Sequence, residues 1–142
     1  MALAGKKHLD AYKDTEIQTA DQGKLIVMLY DGAIRFLGIA IDNMTPRRYD
    51  VANNNILKAQ DIVTELMLSL NLDQGGDIAR NLFNIYAYLK KRLIEANIAK
   101  DPEILKEVLG HLSSLRSAWD ELSRKQQPAR ATGTYGGFSI QG

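Results

Sequence analysis

The stretch LIVMLYDGAIRFLGIAI, Leu25–Ile41, is apolar on almost every side of the helix that its spacing predicts. At about 100° per residue, a helix that faces one core carries a single apolar stripe. This segment instead carries two stripes, Leu25, Leu29, Phe36 and Ala40, and Ile26, Tyr30, Ala33, Leu37 and Ile41, with Val27 and Ile34 on the back. Its narrow polar edge consists of Lys24, Asp31, Arg35 and Asp42. We therefore expect a central helix that neighbours cover on several sides.

Proline and turn residues divide the rest of the chain into long helical segments. The sequence has 3 prolines, and each falls where a long helix would start or stop. The predicted helices run over 19–44, 50–70, 77–98 and 102–124, the last with Asp101 as its cap and Pro102 in its first turn. Loops this short favour antiparallel neighbours, so the predicted fold is all-α, an antiparallel up-down four-helix bundle.

The length of 142 residues suits one domain around one core. We expect residues 1–18 to form an extended N-terminal cover segment, in which Leu9, Tyr12 and Ile17 lie over apolar surface. The bundle itself is predicted over residues 19–125. Residues 126–142 have no helical period and are rich in Gly and small polar side chains, which predicts a disordered tail.

Composition excludes several classes of function. Lys and Arg (18) nearly balance Asp and Glu (17), so no strong positive field is available to bind nucleic acid. The absence of cysteine removes disulfides and is compatible with a reducing cytosol. Asp31 and Arg35 interrupt the longest apolar run, which argues against membrane insertion. The N-terminus has no apolar run long enough for a signal peptide, so we expect a soluble, cytoplasmic protein.

Residue patterns for catalysis and metal binding are also missing. Glu107 and His111 are one residue too far apart for the Glu-x-x-His pair of di-iron bundles, and the other histidine, His8, lies in the N-terminal leader. There is no Gly-rich phosphate loop and no hydrolase elbow. We therefore expect no metal, no cofactor and no catalytic residues, and we interpret the chain as a protein that is not an enzyme.

Helices two and three carry apolar residues beyond their core stripes. The core stripes are predicted to be Ile56, Ala59, Val63, Leu66 and Leu70 on helix two, and Ile78, Leu82, Ile85, Leu89, Leu93 and Ala96 on helix three. A second line on each helix consists of Leu57, Thr64 and Leu68, and of Phe83, Ala87 and Ile94. If both second lines face one groove, they would accept an amphipathic helix of a partner. They equally suit scattered surface residues or a weak homodimer seam, which would make the protein an oligomeric scaffold without a peptide client.

Two further patterns complete the prediction of the core. Helix four has one clean stripe, which is Ile104, Val108, Leu112, Leu115, Trp119 and Leu122. Gly32 and Gly38 lie inside helix one, where Gly costs about 1 kcal/mol relative to Ala. Both glycines therefore suggest the close approach of another backbone.

Five blocks in order give the chain a family resemblance. They are TADQGKLIVMLYDGAIRFL, KAQDIVTEL, GGDIARNLFNIYAYL, LIEAN and LRSAW, and they resemble the flagellin export chaperone family of the FliS type from about Tyr12 to Trp119. The sequence departs from that pattern at Asp21-Gln22, where the family commonly has Ser-Pro.

The resemblance implies an antiparallel bundle that binds the disordered C-terminal region of flagellin in the cytoplasm. It implies that the protein prevents premature polymerisation and presents flagellin to a component of the type III export gate. Tyr12 matches the tyrosine of the family's N-terminal segment, which is thought to fold over part of the client surface.

Overall fold

Four α-helices make up the computed structural model over the residues that it describes, 22–131. They are α1 (Gln22–Asp42), α2 (Tyr49–Leu68), α3 (Gly76–Ala99) and α4 (Pro102–Ala131), with a short 3-10 helix, Pro46–Arg48, between α1 and α2. No strand occurs within this range. The predicted all-α class is confirmed.

Helix α4 is longer than predicted. It continues to Ala131, whereas the sequence pattern placed its end near Arg124, so residues 126–131 of the predicted tail are helical. Lys125, Gln126 and Gln127 are good helix formers, so the helix can continue after its apolar stripe has ended, and it includes Pro128, which has no N–H for the helical hydrogen bond. The remaining residues of the predicted tail, 132–142, lie outside the described range.

Residues Leu29–Leu115 form one compact unit, and the described residues 22–28 and 116–131 belong to a second. Within the first unit, contacts link the four helices. Lys58 on α2 lies over the ring of Phe36 on α1, with Nζ 5.3 Å from the centroid. Asn97 on α3 hydrogen-bonds Asn53 on α2. Arg92 on α3 contacts Glu107 on α4. From Gly32 to Phe36 along α1 the neighbour on α2 goes back from Ile62 to Lys58. In the other two pairs a residue early in one helix meets a residue late in the other, so the helical segments of this unit form an antiparallel bundle.

All four helices contribute to the core of the Leu29–Leu115 unit. Its buried apolar residues are Leu29, Tyr30, Ala33, Leu37, Ala40, Ala52, Ile56, Ala59, Ile62, Val63, Leu66, Ala79, Tyr86, Leu89, Leu93, Ala96, Leu105, Val108 and Leu112. In the second unit, Leu25, Ile26 and Val27 are also buried. The predicted polar edge of α1 is exposed along its whole length. Phe36, Ile41 and the back residue Ile34 are only half-buried, so the interpretation of α1 as a helix covered on several sides is confirmed for part of its surface.

A tyrosine pair fixes α1 against α3. The hydroxyls of Tyr30 and Tyr86 are 2.5 Å apart and share a hydrogen bond. Both side chains are buried, and their rings lie 6.4 Å apart between centroids. Burial raises the pKa of Tyr86, although the hydrogen bond from Tyr30 partly offsets this rise. The pair thus satisfies a polar group that would be costly to bury alone.

The two glycines of α1 differ in their surroundings. A Cβ added at Gly32 would lie 3.1 Å from Cδ1 of Ile62, so α1 and α2 approach closely there. A Cβ added at Gly38 would meet nothing within 4 Å. The predicted close approach is confirmed at Gly32 and wrong at Gly38.

The predicted core stripe of α3 is wrong in its first half. Ile78 is 73% exposed and Ile85 is 38% exposed, while Ala79 and Tyr86 are buried. The stripe is rotated by one residue because the core accepts the ring of Tyr86, whose hydroxyl finds a partner in Tyr30. The other predicted residues of this stripe that are buried are Leu89, Leu93 and Ala96.

Smaller corrections apply to α2 and α4. Leu70 lies beyond the end of α2 and is half-buried. On α4, Leu105 is buried and Ile104 only half-buried, and Leu115 and Trp119 are also half-buried. Leu122 is exposed, so the apolar stripe of α4 is not buried along its whole length.

The start of α4 follows the predicted capping pattern. Lys100 ends α3 in the left-handed conformation, with φ of 53°. The Asp101 carboxylate then accepts a hydrogen bond from the backbone N–H of Glu103 at 2.9 Å, as a helix cap does. Within residues 22–131, no helix combines the length and apolar content that a bilayer span requires.

Candidate functional site

The pairing of α2 with α3 is set by a short polar chain near one end. The side-chain amide of Asn97 donates to Oδ1 of Asn53 at 2.6 Å. Lys100 donates to Oδ1 of Asn97, also at 2.6 Å. The Lys100 ammonium also lies 5.5 Å from the centroid of Tyr49 in the first turn of α2. These contacts hold the start of α2 beside the end of α3 and define the antiparallel register of the two helices.

This register brings the two predicted second lines to the same side of the hairpin. Leu57, Thr64 and Leu68 follow Asn53 at helical spacing on one side of α2. Counting equal steps from Asn53 and Asn97 along the two antiparallel helices places Ile94, Ala87 and Phe83 within about one residue of the levels of Leu57, Thr64 and Leu68. We call this surface the α2–α3 trough and define it by Leu57, Thr64, Leu68, Phe83, Ala87 and Ile94.

The large residues of the α2–α3 trough are about half exposed. Leu57 is 46%, Leu68 62%, Phe83 37% and Ile94 48% exposed. Ala87 is also exposed, and Thr64 is half-buried. The Thr64 hydroxyl already donates to the carbonyl of Gln60 at 3.0 Å, so a partner can cover it without leaving its donor unsatisfied. The trough can therefore receive apolar side chains, which is chemistry of binding rather than of catalysis.

A second apolar surface lies on the opposite flank of α3, between α3 and α4. It encloses about 420 Å³ and is lined by Asn84, Ile85, Tyr88, Leu89, His111, Ser114 and Leu115. Sequence reasoning missed this pocket because it assigned Ile85 to the core. The available signal was the pair Ile85 and Tyr88 on α3, one turn apart, but periodicity alone does not show which helix they face.

A charged cluster closes one edge of this pocket. The hydroxyl of Tyr88 donates to Glu107 Oε2 at 2.6 Å, and Arg92 donates to Glu107 Oε1 through Nε and Nη2 at 3.0 and 2.9 Å. His111 Nε2 lies 3.3 Å from the same carboxylate. Arg92 also pairs with Glu95 at 2.6 Å. The cluster fixes the Tyr88 ring, which stands edge-on to His111.

The pKa values in this cluster indicate a structural role. Hydrogen bonds from Tyr88 and Arg92 lower the pKa of Glu107. The same bond to Glu107 raises the pKa of Tyr88, and the bonds to Glu95 and Glu107 raise the pKa of Arg92. Tyr88, Arg92 and Glu107 therefore keep their usual protonation states near neutral pH, which suits a clamp between helices and not a general acid or base.

Two remaining subjects of the sequence analysis are the N-terminal cover residues and the residues that could bind a metal. The predicted cover residues Leu9, Tyr12 and Ile17 lie outside the described residues. Across residues 22–131, no group of three or more His, Cys, Asp or Glu side chains is placed to hold a metal ion. Glu107 and His111 are in contact, but no further ligand joins them in this part of the chain.

Comparison with known proteins decides the family. The family model described as Flagellar protein FliS matches residues 5–126. The chain belongs to the FliS family. It is 32% identical to the flagellar secretion chaperone FliS of Bacillus subtilis, over 84% of this chain and 89% of that protein. It is 33% identical to the protein of the same name from Vibrio cholerae, over 80% of this chain and 87% of the relative. It is 31% identical to the flagellar secretion chaperone FliS of Salmonella typhimurium, over 84% of this chain and 90% of that protein. The FliS resemblance in the sequence blocks is thereby confirmed.

Proposed function

We propose that this FliS-family protein is a cytoplasmic flagellar secretion chaperone that binds the disordered C-terminal region of flagellin as an amphipathic helix in the α2–α3 trough. In this role it prevents premature polymerisation and delivers flagellin to the flagellar type III export gate. The observation that carries the proposal is the set of half-exposed large apolar residues on one side of the α2–α3 hairpin. The names of the relatives, flagellar secretion chaperone, support the same role.

The area of the α2–α3 trough is enough for a useful but moderate affinity. Fully burying a large apolar side chain is worth about 1.5–3 kcal/mol, so covering the exposed parts of its four large residues contributes about 3–6 kcal/mol. Ordering a disordered segment costs about 2–5 kcal/mol or more, and association has its own entropy cost. The client must therefore bring a comparable apolar face of its own, as an amphipathic helix does.

A protein that binds an unfolded segment needs no reacting groups. Glu107, whose pKa is lowered, is held ionised by its partners and is not poised to donate a proton at neutral pH. The relatives are named as chaperones. We therefore propose a binding function without catalytic activity, metal or cofactor.

The test is a calorimetric titration with a peptide that covers the C-terminal region of flagellin from the same bacterium, with far-UV circular dichroism of the mixture. We expect one-to-one binding, a negative heat-capacity change and more helix than the sum of the two parts. Leu68→Asp and Phe83→Asp should each weaken binding strongly while the helicity of the free protein is retained. Absence of heat and of added helix at high micromolar concentration would contradict the function. If these variants lose helicity and binding in parallel, the placement in the trough is wrong.

The same exposed residues also favour a second candidate, a homodimer in which two troughs cover each other. Light scattering over a dilution series separates the two candidates. A chaperone with a free trough should be monomeric at low concentration, or its dimer should be displaced by the flagellin peptide. A dimer that persists on dilution and excludes the peptide would favour an oligomeric scaffold without a client.

A further inference from the structure

A polar pair of residues lies in the seam between α2 and α3, which is the floor of the α2–α3 trough. The seam is marked near one end by Asn53 and Asn97, whose side chains share the 2.6 Å hydrogen bond. Seven residues are close to two helical turns, so a step of seven along each antiparallel helix reaches the next facing pair, Gln60 and Lys90. This pair lies about 10 Å from the asparagines and about as far from Phe83, which is seven residues before Lys90.

Lys90 lies deeper in the trough than the apolar residues on either side of it along α3. It follows Ala87 by three residues and precedes Ile94 by four, which at about 100° per residue places it on the α2-facing side of the line through them. Lys90 is half-buried, whereas Ala87 and Ile94 are exposed. On α2, Gln60 is likewise half-buried and lies on the α3-facing side of Leu57. A helix that covers the trough residues would therefore pass over Lys90 and Gln60 as well.

No group among residues 22–131 satisfies the ammonium of Lys90. Within that range the side chains of Lys90 and Gln60 take part in no hydrogen bond or ion pair. The acidic residue nearest to Lys90 in sequence is Glu95, which pairs with Arg92 at 2.6 Å. Asp61 follows Gln60 on α2, but it lies about 100° further round the helix, on its exposed outer side.

A docked client changes what Lys90 requires. An ammonium that loses water and gains no partner weakens a complex, whereas a carboxylate within hydrogen-bond distance offsets the loss. The side-chain amide of Gln60 can donate to the same carboxylate. A client helix with only apolar residues at this level would leave the ammonium covered and unpaired, so the trough would bind it less tightly.

We propose that Lys90 is a specificity-determining residue of the α2–α3 trough, and that it selects a client helix with one Asp or Glu on its apolar face. Lys90 is four residues from Ile94 and seven from Phe83. The acidic residue of the client therefore lies about one turn from the client residue that covers Ile94, and about two turns from the one that covers Phe83. The proposal rests on the proposed function, because it states which flagellin segment the trough accepts.

The test compares Lys90→Met with Lys91→Met in calorimetric titrations with the flagellin C-terminal peptide. Met is a good helix former, so both variants should keep the helicity of the wild type in circular dichroism. Lys91 is the matched control because it is exposed and lies on the outer side of the Ala87–Ile94 line. We expect Lys90→Met to raise Kd about tenfold, because it removes a charged hydrogen-bond donor and leaves the carboxylate of the client unpaired. Lys91→Met should change Kd less than about twofold.

A second series of titrations locates the acidic residue of the client. Each Asp and Glu of the peptide is changed in turn to Asn or Gln, and every peptide is titrated against the wild-type protein and Lys90→Met. One change should raise Kd about tenfold with the wild type and less than about twofold with Lys90→Met, as expected of two residues in contact. The other changes should affect both proteins equally.

Three results would overturn the proposal. Equal weakening by Lys90→Met and Lys91→Met would show that the peptide responds only to net charge. Unchanged or tighter binding by Lys90→Met would show that the ammonium does not contact the client. A peptide series in which no acidic residue is coupled to Lys90 would exclude the acidic partner. In each case, binding by the wild-type protein leaves the proposed function intact, whereas failure of the wild-type protein to bind the peptide would overturn the function itself.

Discussion

Leu57 and Leu122 provide a matched pair for testing the α2–α3 trough. Both leucines are 46% exposed, both lie on helices, and only Leu57 belongs to the trough. Changing each to alanine removes the same three carbons. The two variants should therefore lose similar folding stability and differ only in their effect on client binding.

The expected effect on binding follows from the exposed fraction. Removing three carbons from a fully buried leucine costs about 2.4 kcal/mol, at about 0.8 kcal/mol per CH₂. Docking of the client would bury the exposed 46% of Leu57, so Leu57→Ala should lose about 1.1 kcal/mol of binding free energy, or about sixfold in Kd. Leu122→Ala should leave Kd unchanged. Both variants should lose about 1.3 kcal/mol of unfolding free energy, from the part of each leucine that is already covered.

Titration calorimetry with the flagellin peptide gives Kd, and urea unfolding followed by circular dichroism gives the unfolding free energy. Equal weakening of peptide binding by the two variants would show that loss of folding stability explains the effect, and the trough assignment would fail. Unchanged binding by Leu57→Ala would exclude Leu57 from the contact surface. A large effect of Leu122→Ala alone would move the client site to α4.

Three further predictions concern the framework of the trough. Tyr30→Phe and Tyr86→Phe should each lower the free energy of unfolding in urea by about 1–3 kcal/mol, because each removes the buried hydrogen bond between the hydroxyls. The double variant should lose less than the sum of the two single losses. Additive losses would show that the hydrogen bond contributes nothing. Gly38→Ala should raise the unfolding free energy by about 0.5–1 kcal/mol, and Gly32→Ala should gain less or lose stability because its new methyl meets α2; an equal gain would refute the close approach. Glu107 has a lowered pKa, so its stabilisation is present above pH 4.5 and lost as the pH falls through its folded pKa. Glu107→Gln should therefore reduce the loss of thermal stability between neutral pH and about pH 3, and an unchanged pH dependence would contradict the role of the clamp.

The sequence pattern predicted α1 well because almost any rotation of that helix would bury apolar residues. Few rotations of the helix about its axis were possible, because Asp31, Arg35 and Asp42 mark the one edge that faces solvent. For α3, two stripes one residue apart were both plausible. Isoleucine is more apolar than tyrosine, which favoured Ile78 and Ile85, but the hydroxyl of Tyr30 made Tyr86 the better core residue. That choice depends on a contact between distant segments, which periodicity does not contain.

The candidate site was predictable in composition but not in register. The surplus of apolar residues on helices two and three supplied the six residues that define the α2–α3 trough, and their role in binding stays a prediction. Their relative placement depends on the hydrogen bond between Asn53 and Asn97, two amides that carry no pattern of their own. The pocket beside Tyr88 was missed for the same reason, because its walls come from α3 and α4 and a single-helix pattern does not pair them.

Partial burial of the trough residues reduces the exposed apolar area of the free protein and still leaves apolar area that a client could cover. A fully exposed leucine or phenylalanine would lose rotamer freedom on docking and would promote aggregation. Leu57, Phe83 and Ile94 each have at least half of their surface covered by their own protein, so folding has already restricted part of this freedom. In the proposed complex, the remaining half would supply the binding free energy. If the proposed function holds, that contribution of about 3–6 kcal/mol from the chaperone side would make the complex specific and yet weak enough to release flagellin when export begins.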